Sequence, residues 1–208
     1  ATIADHGSGT GVLTVASGQL WRFQSSANSY SGGTIIEAGA GVRGQNNGVF
    51  GTGDITVRGE LEIGNGVSGQ LSNGGDIIIE DGGTLRWDAS VPIFDDTRIS
   101  GDATLIGKLT NARTEGDITD GPGGPGKLIK TGSATVRLRP ASALTYSGGT
   151  EVRQGRLFVE SSGGLGTGDV EVWANGLLEL DSSTAITGDQ ILTVLASGSN
   201  YGTVRLDS

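Results

Sequence analysis

Asp5, His6 and Ser8 bring an acid, a base and a hydroxyl within four positions, and His6 is the only histidine in the chain. Adjacent side chains on an extended backbone point to opposite faces, and terminal residues fray, so this trio is not expected to converge on one reacting atom. Zinc is poorly served by one histidine and no cysteine. Gly7-Ser8-Gly9-Thr10-Gly11 has the glycines of a phosphate loop, but no Lys-Ser/Thr pair and no helical pattern follow it. Gly163-Gly164-Leu165-Gly166-Thr167-Gly168-Asp169 has the make-up of a calcium-binding nonapeptide turn, which works in tandem copies. Its nearest echo surrounds Asp54, more than a hundred residues away, so Asp54 and Asp169 read as acceptors of backbone hydrogen bonds in the turns entering their strands.

Asp95, Asp96 and Arg98, with Glu115, Asp117 and Asp120 downstream, come nearest to the carboxylates and cation of a glycan-cleaving face. The same acids would also keep an exposed segment solvated. Among the aromatics, Trp87 falls in the phase of the apolar residues, Trp173 follows Val172 at a corner and is expected to be exposed, and Trp21 and Tyr30 are ambiguous. The candidate surface-contact residues are therefore Trp173, Trp21, Asp95, Asp96 and Arg98. No catalytic, cofactor-binding or metal-binding residue is assigned, and Arg58-Gly59-Glu60 is only one methylene from an integrin-type tripeptide.

The elements that must position these residues are short strands. An alternating run, a glycine corner and a second alternating run recur at residues 54–63, 76–87 and 169–180. Alternation puts Ile55, Val57, Leu61, Ile63, Ile77, Ile79, Leu85, Trp87, Val170, Val172, Leu178 and Leu180 on one face, the expected core. Longer landmarks repeat as well. Tyr30-Ser31-Gly32-Gly33-Thr34, Gly51-Thr52-Gly53-Asp54 and Leu61-Glu62-Ile63 return as Tyr146-Ser147-Gly148-Gly149-Thr150, Gly166-Thr167-Gly168-Asp169 and Leu178-Glu179-Leu180, displaced by 116, 115 and 117 residues. Asn175-Gly176 alone would favour an antiparallel hairpin. Repetition favours a parallel β-helix, in which each unit buries its apolar face on its neighbours. With roughly 20 to 25 residues per coil, the chain would make about eight or nine coils in a rod about 40 Å long, the two copies lying about five coils apart. The whole of 1–208 reads as one segment, with repeat-like units at 11–65 and 126–181, a loop excursion at 111–126 and a shorter one at 90–96.

Composition agrees with an all-β chain: 39 of 208 residues are glycine, interleaved with β-branched and aliphatic runs. With 14 basic and 23 acidic residues the net charge is −9, which argues against nucleic acid as a partner. No apolar run reaches the roughly 20 residues that span a bilayer as a helix. The absence of methionine, even at position 1, reads as a piece of a longer polypeptide.

Gly126-Lys127-Leu128-Ile129-Lys130-Thr131-Gly132-Ser133, Thr145-Tyr146-Ser147-Gly148-Gly149-Thr150, Gly155-Arg156-Leu157 and Leu165-Gly166-Thr167-Gly168 together resemble the passenger-associated transport repeat of bacterial autotransporters. Residues 11–65 resemble it too, with Ala16-Ser17-Gly18 in place of Lys-Thr-Gly. The resemblance implies a right-handed parallel β-helical passenger, exported through the periplasm and threaded through an outer-membrane β-barrel to the cell surface. It implies a non-enzymatic scaffold for adhesion or self-association, meeting other passengers or a host protein or glycan and supporting its own secretion. Two alternatives are a glycan-active β-helix enzyme and a non-catalytic stalk of a larger protease or toxin.

Overall fold

The computed structural model describes residues 4–25, 28–45, 49–64, 74–87, 92–108, 112–142, 144–160, 164–181 and 189–206. Strands follow one another around an apolar axis. The first four coils each contribute two strands: β1 (Leu13–Val15) and β2 (Leu20–Phe23), β3 (Thr34–Ile36) and β4 (Gly41–Gly44), β5 (Ile55–Val57) and β6 (Glu60–Ile63), β7 (Ile77–Ile79) and β8 (Thr84–Trp87). A third wall starts at β9 (Pro92–Ile93). It continues in the next two coils, β10 (Thr97–Ile99), β11 (Gly101–Gly107) and β12 (Ala112–Thr114), then β13 (Ile118–Asp120), β14 (Gly126–Thr131) and β15 (Thr135–Leu138). Long strands β16 (Thr150–Val159) and β17 (Val170–Leu180) each bend across two walls. Last come β18 (Leu192–Val194), the small antiparallel pair β19 (Ala196–Ser197) and β20 (Asn200–Tyr201), and β21 (Thr203–Leu206).

Apart from that small pair, all described strand pairing is parallel and joins each strand to the coil before or after it. On the first wall Leu13 meets Thr34, Thr34 meets Ile55, Ile55 meets Ile77, Ile77 meets Thr97 and Thr97 meets Ile118, steps of 20 to 22 residues. Glycine-bearing corners permit so short a coil. A bridge from Ile118 to Leu144 adds a seventh layer to the six strands of this wall, and the second wall stacks nine strands from β2 to β18. The second wall continues the stack through β16, β17 and β18, and the third through β17 and β21.

Parallel register lines up like residues in columns. Val42, Leu61, Leu85 and Leu105 form one column of the second wall, and Val136, Leu157 and Leu178 one of the third. All twelve expected core residues are buried, including Trp87, and they join one continuous cluster along the axis. Burying one such side chain is worth about 1.5–3 kcal/mol, and every coil adds several.

Two expectations need correction. Residues 111–126 do not bulge away as a loop: β12 and β13 lie inside this stretch and pair with neighbouring coils. Nor do the two sequence copies stack in phase. Thr34 lies on the first wall, between Leu13 and Ile55, whereas Thr150 lies on the second, between Leu128 and Val170. Five coils of about 21 residues fall short of the 116-residue displacement, and the remainder carries the second copy round to the next wall. Asn175-Gly176 makes a corner and no hairpin, as repetition implied: β17 runs through it in parallel with β16, and a Cβ on Gly176 would lie 2.1 Å from the Val152 carbonyl oxygen, so close coil contact demands the glycine.

Candidate functional site

The repeated motifs are two halves of one joint. Ser-Gly-Gly-Thr of one coil lies on Gly-Thr-Gly-Asp of the next: the Thr34 amide donates to the Asp54 carbonyl at 2.8 Å, and the Thr150 amide to the Asp169 carbonyl at 2.8 Å. Gly33 and Gly149 have φ of 89° and 99°, and a Cβ on either would stand 2.5 or 2.7 Å from that same carbonyl oxygen. Glycine is required there twice over, by conformation and by space. Beneath each joint a buried tyrosine closes the coil. The Tyr30 and Thr34 hydroxyls are 2.6 Å apart, as are those of Tyr146 and Thr150. Burial raises both phenol pKa values, which fits the expected packing role.

A second repeated clamp escaped the sequence reading. Asp120 accepts the amides of Gly126 (2.8 Å) and Ser147 (2.9 Å) on one oxygen and the Ser147 hydroxyl (2.7 Å) on the other. Asp5 does the same for the Gly11 amide and for the Ser31 amide and hydroxyl, at 3.1 and 2.6 Å for Ser31. The Ser31 hydroxyl, then the two amides, hold Asp5 below the usual carboxylate range. Burial opposes such a shift at Asp120, but its hydrogen bonds from Gly126 and Ser147 outweigh it. Asp5, not His6, is thus the working residue of the N-terminal trio. Asp54 and Asp169 also act between coils, accepting the amides of Asp76 (2.9 Å) and Ile191 (3.0 Å), rather than within their own turns.

Lys130 is the least expected member of the core. It stands in the aliphatic column between Leu105 and Val152 and is fully buried. Its ammonium donates to the carbonyls of Thr131 (2.8 Å), Gly132 (2.7 Å) and Gln154 (2.8 Å), tying a corner to the coil above. Burial pushes its pKa down to about 8. Lys-Thr-Gly was legible as a motif, but nothing in the alternation distinguished an inward lysine from a solvated one.

The outer faces carry charge ladders. Arg58 bridges Glu37 in the coil before (3.1 Å) and Glu80 in the coil after (2.7 Å). Glu60 pairs with Arg86 at 2.8 Å, so both charges of Arg58-Gly59-Glu60 are already engaged. On the third wall Glu179 is fully buried between Arg156 and Arg205; burial raises its pKa, and the two guanidinium groups overcome that and lower it. Arg137 and Arg156 cover the Phe158 ring at 4.9 and 4.8 Å.

The five expected contact residues do not share one place. Asp95 is only 8% exposed, because the chain turns it inward at a corner where the next coil crosses at Gly116; a surface contact through it is ruled out. Asp96 accepts the Asp117 amide at 2.9 Å, and Arg98 pairs with Asp76 of the preceding coil, so these three residues form no common constellation. Trp21 is 40% exposed on the first coil, edge-on to Phe23 at 6.0 Å. Trp173 is 42% exposed on the second wall, with the Arg153 guanidinium 5.7 Å from its ring centre. Among the described residues there is no cluster of three or more His, Cys, Asp or Glu placed to hold a metal ion.

The family model of the passenger-associated-transport-repeat matches residues 7–40 and 128–158. This chain carries passenger-associated transport repeats. The matched segments contain both Tyr-Ser-Gly-Gly-Thr halves of the joints just described. Together with the parallel solenoid these matches support an autotransporter passenger scaffold. No curated protein and no solved structure matches the chain.

Proposed function

We propose that this chain is a passenger segment that works at the bacterial surface as a non-catalytic adhesive scaffold, meeting other passengers or a host or matrix molecule, and that its stacking repeats assist its own export. The observation that carries this reading is the pairing of transport repeats with an outer surface of inter-coil charge ladders. Such ladders present a long, regular, polar face suited to many weak contacts. Successive coils that each close on the one before give a chain emerging from a membrane a way to fold in order, and no disulfide locks it beforehand. The dispersal of Asp95, Asp96 and Arg98 supports the non-catalytic assignment over glycan cleavage.

The test is display of residues 1–208 on bacterial cells through an autotransporter barrel. Surface accessibility to protease, followed by settling of the culture or attachment to coated surfaces, is the expected result. Cells that display the segment yet neither settle nor attach would remove the adhesive role.

A further inference from the structure

The outer face of the second wall changes character at β14, β16 and β17. Lys127, Arg153, Glu171 and Trp173 face outward there on three adjacent strands, around a Glu151 that is only 7% exposed. The row is built rather than incidental. Lys127 Nζ lies 2.9 Å from Glu151 Oε1, Arg153 Nε donates to Glu151 Oε2 at 2.7 Å, and Arg153 in turn lies against the Trp173 ring. Beside them a groove of ≈ 210 Å³ is lined by Lys127, Thr150, Glu151, Asp169 and Glu171. Two residues along the strand from Glu171, Trp173 stands at the bulge where β16 and β17 slip register.

Comparison of the two sequence copies separates what the coil needs from what this face adds. Inward positions are kept in kind: Thr34, Ile36, Ile55 and Val57 correspond to Thr150, Val152, Val170 and Val172. Outward positions are not. Val12, Ile35, Glu37, Thr56 and Arg58 in the first copy become Lys127, Glu151, Arg153, Glu171 and Trp173 in the second. The first copy shows that the coil stacks without an outward tryptophan, so packing does not explain Trp173.

We infer that Trp173, with the charged row beside it, is a binding face for an uncharged, hydroxyl-rich sugar ring. This rests on the adhesive reading above and names its ligand class. A pyranose has one face of C–H groups, which stack on an indole ring, and a rim of hydroxyls that both donate and accept. The Glu171 carboxylate accepts from such hydroxyls and Lys127 and Arg153 donate to them, both held in place by the buried Glu151. Two positive and two negative charges cancel within the row, on a chain whose net charge of −9 disfavours anionic polymers. A shallow, fixed, rigid face of this kind suits one or two sugar rings of a surface polymer, with avidity from repeated copies on the cell.

The experiment is calorimetric titration of the full chain with neutral hexasaccharides of glucose, mannose and galactose, and with a sulfated hexasaccharide. At least one neutral hexasaccharide is expected to bind, with Trp173→Ala weakening it tenfold or more, Glu171→Gln weakening it less, and Trp21→Ala leaving it unchanged. Trp173→Ala should melt within a few degrees of wild type. Binding of the sulfated probe alone, no binding of any neutral probe, or undiminished binding by Trp173→Ala overturns the inference. The displayed segment separates this from the broader reading: if cells settle or attach while no neutral sugar binds, the sugar face falls and the adhesive scaffold stands.

Discussion

Lys130→Met tests the buried ammonium, because methionine keeps the length and apolar stem of the side chain and removes only its polar end. Three carbonyls, of Thr131, Gly132 and Gln154, would lose donors at 2.7 to 2.8 Å. Each buried acceptor left unmet costs about 1–3 kcal/mol. Against that stands the cost of desolvating the charge: a fall to about 8 from the ordinary 10.5 corresponds to roughly 3 kcal/mol at about 1.4 kcal/mol per unit. The balance favours wild type by about 3 kcal/mol, a melting shift of roughly 6–12 °C for a chain of this size. A substitution by an apolar residue that raised stability, as some buried charges permit, would refute the clamp. The pH dependence gives a second readout. Because the folded pKa lies below the unfolded one, the unfolded chain binds more protons between about pH 8 and 10.5, and wild-type stability rises with pH across that window. This contribution is complete above the unfolded value and is lost as pH falls through about 8. Melting between pH 8 and 9.5 should therefore widen the gap between wild type and Lys130→Met; a constant gap would contradict the burial argument.

Tyr146→Phe leaves the buried Thr150 hydroxyl without its 2.6 Å partner and should cost about 1–3 kcal/mol by chemical denaturation. Since the folded phenol pKa is raised, the Tyr146 contribution is present below the ordinary tyrosine range and fades as pH rises through it, so the deficit should shrink in strong alkali. At the acid end, the depressed carboxyl of Asp120 contributes stability that is present above the ordinary aspartate range and is lost as pH falls through its lower folded value. Asp120→Asn should flatten acid unfolding below about pH 4, and an unchanged acid profile would count against the clamp. Leu20 and Trp21 at one end, 77% and 40% exposed, and Val194 and Leu206 at the other, 49% and 73% exposed, flank strand edges with no described partner. Sedimentation at rising concentration should show head-to-tail association through these edges, whereas a strict monomer at millimolar protein would contradict it.

Much of the architecture was legible because parallel stacking writes itself into sequence twice. Alternation marked Ile55, Val57, Leu61 and Leu85 as core, and repetition at fixed spacing argued for coils over a sandwich. Register was less legible. A displacement of 116 residues looked like whole coils, but the advance per coil depends on corner length, and a few residues per turn accumulate to a full wall over five turns. The stretch 111–126 misled for a similar reason: Ala112, Thr114 and Ile118 are few and short, yet each lies in a column shared with a neighbouring coil. Surface residues were hardest. Asp95 and Asp96 are adjacent and chemically identical, and only the corner geometry sends one inward and leaves the other exposed. Trp173 was read as exposed because it follows inward Val172 in the alternation of β17, a signal Asp95 at its corner lacked.

The distance between spin labels at Thr14 and Thr119 tests the winding most directly. Both lie in one outward column of the first wall, through Ile35, Thr56, Ile78 and Arg98, five coils apart. At about 4.8 Å per coil the backbone separation is about 24 Å, and the account predicts one narrow population centred there. A broad distribution, or a population displaced by 10 Å or more once label length is allowed for, would contradict a single parallel solenoid and the scaffold role built on it.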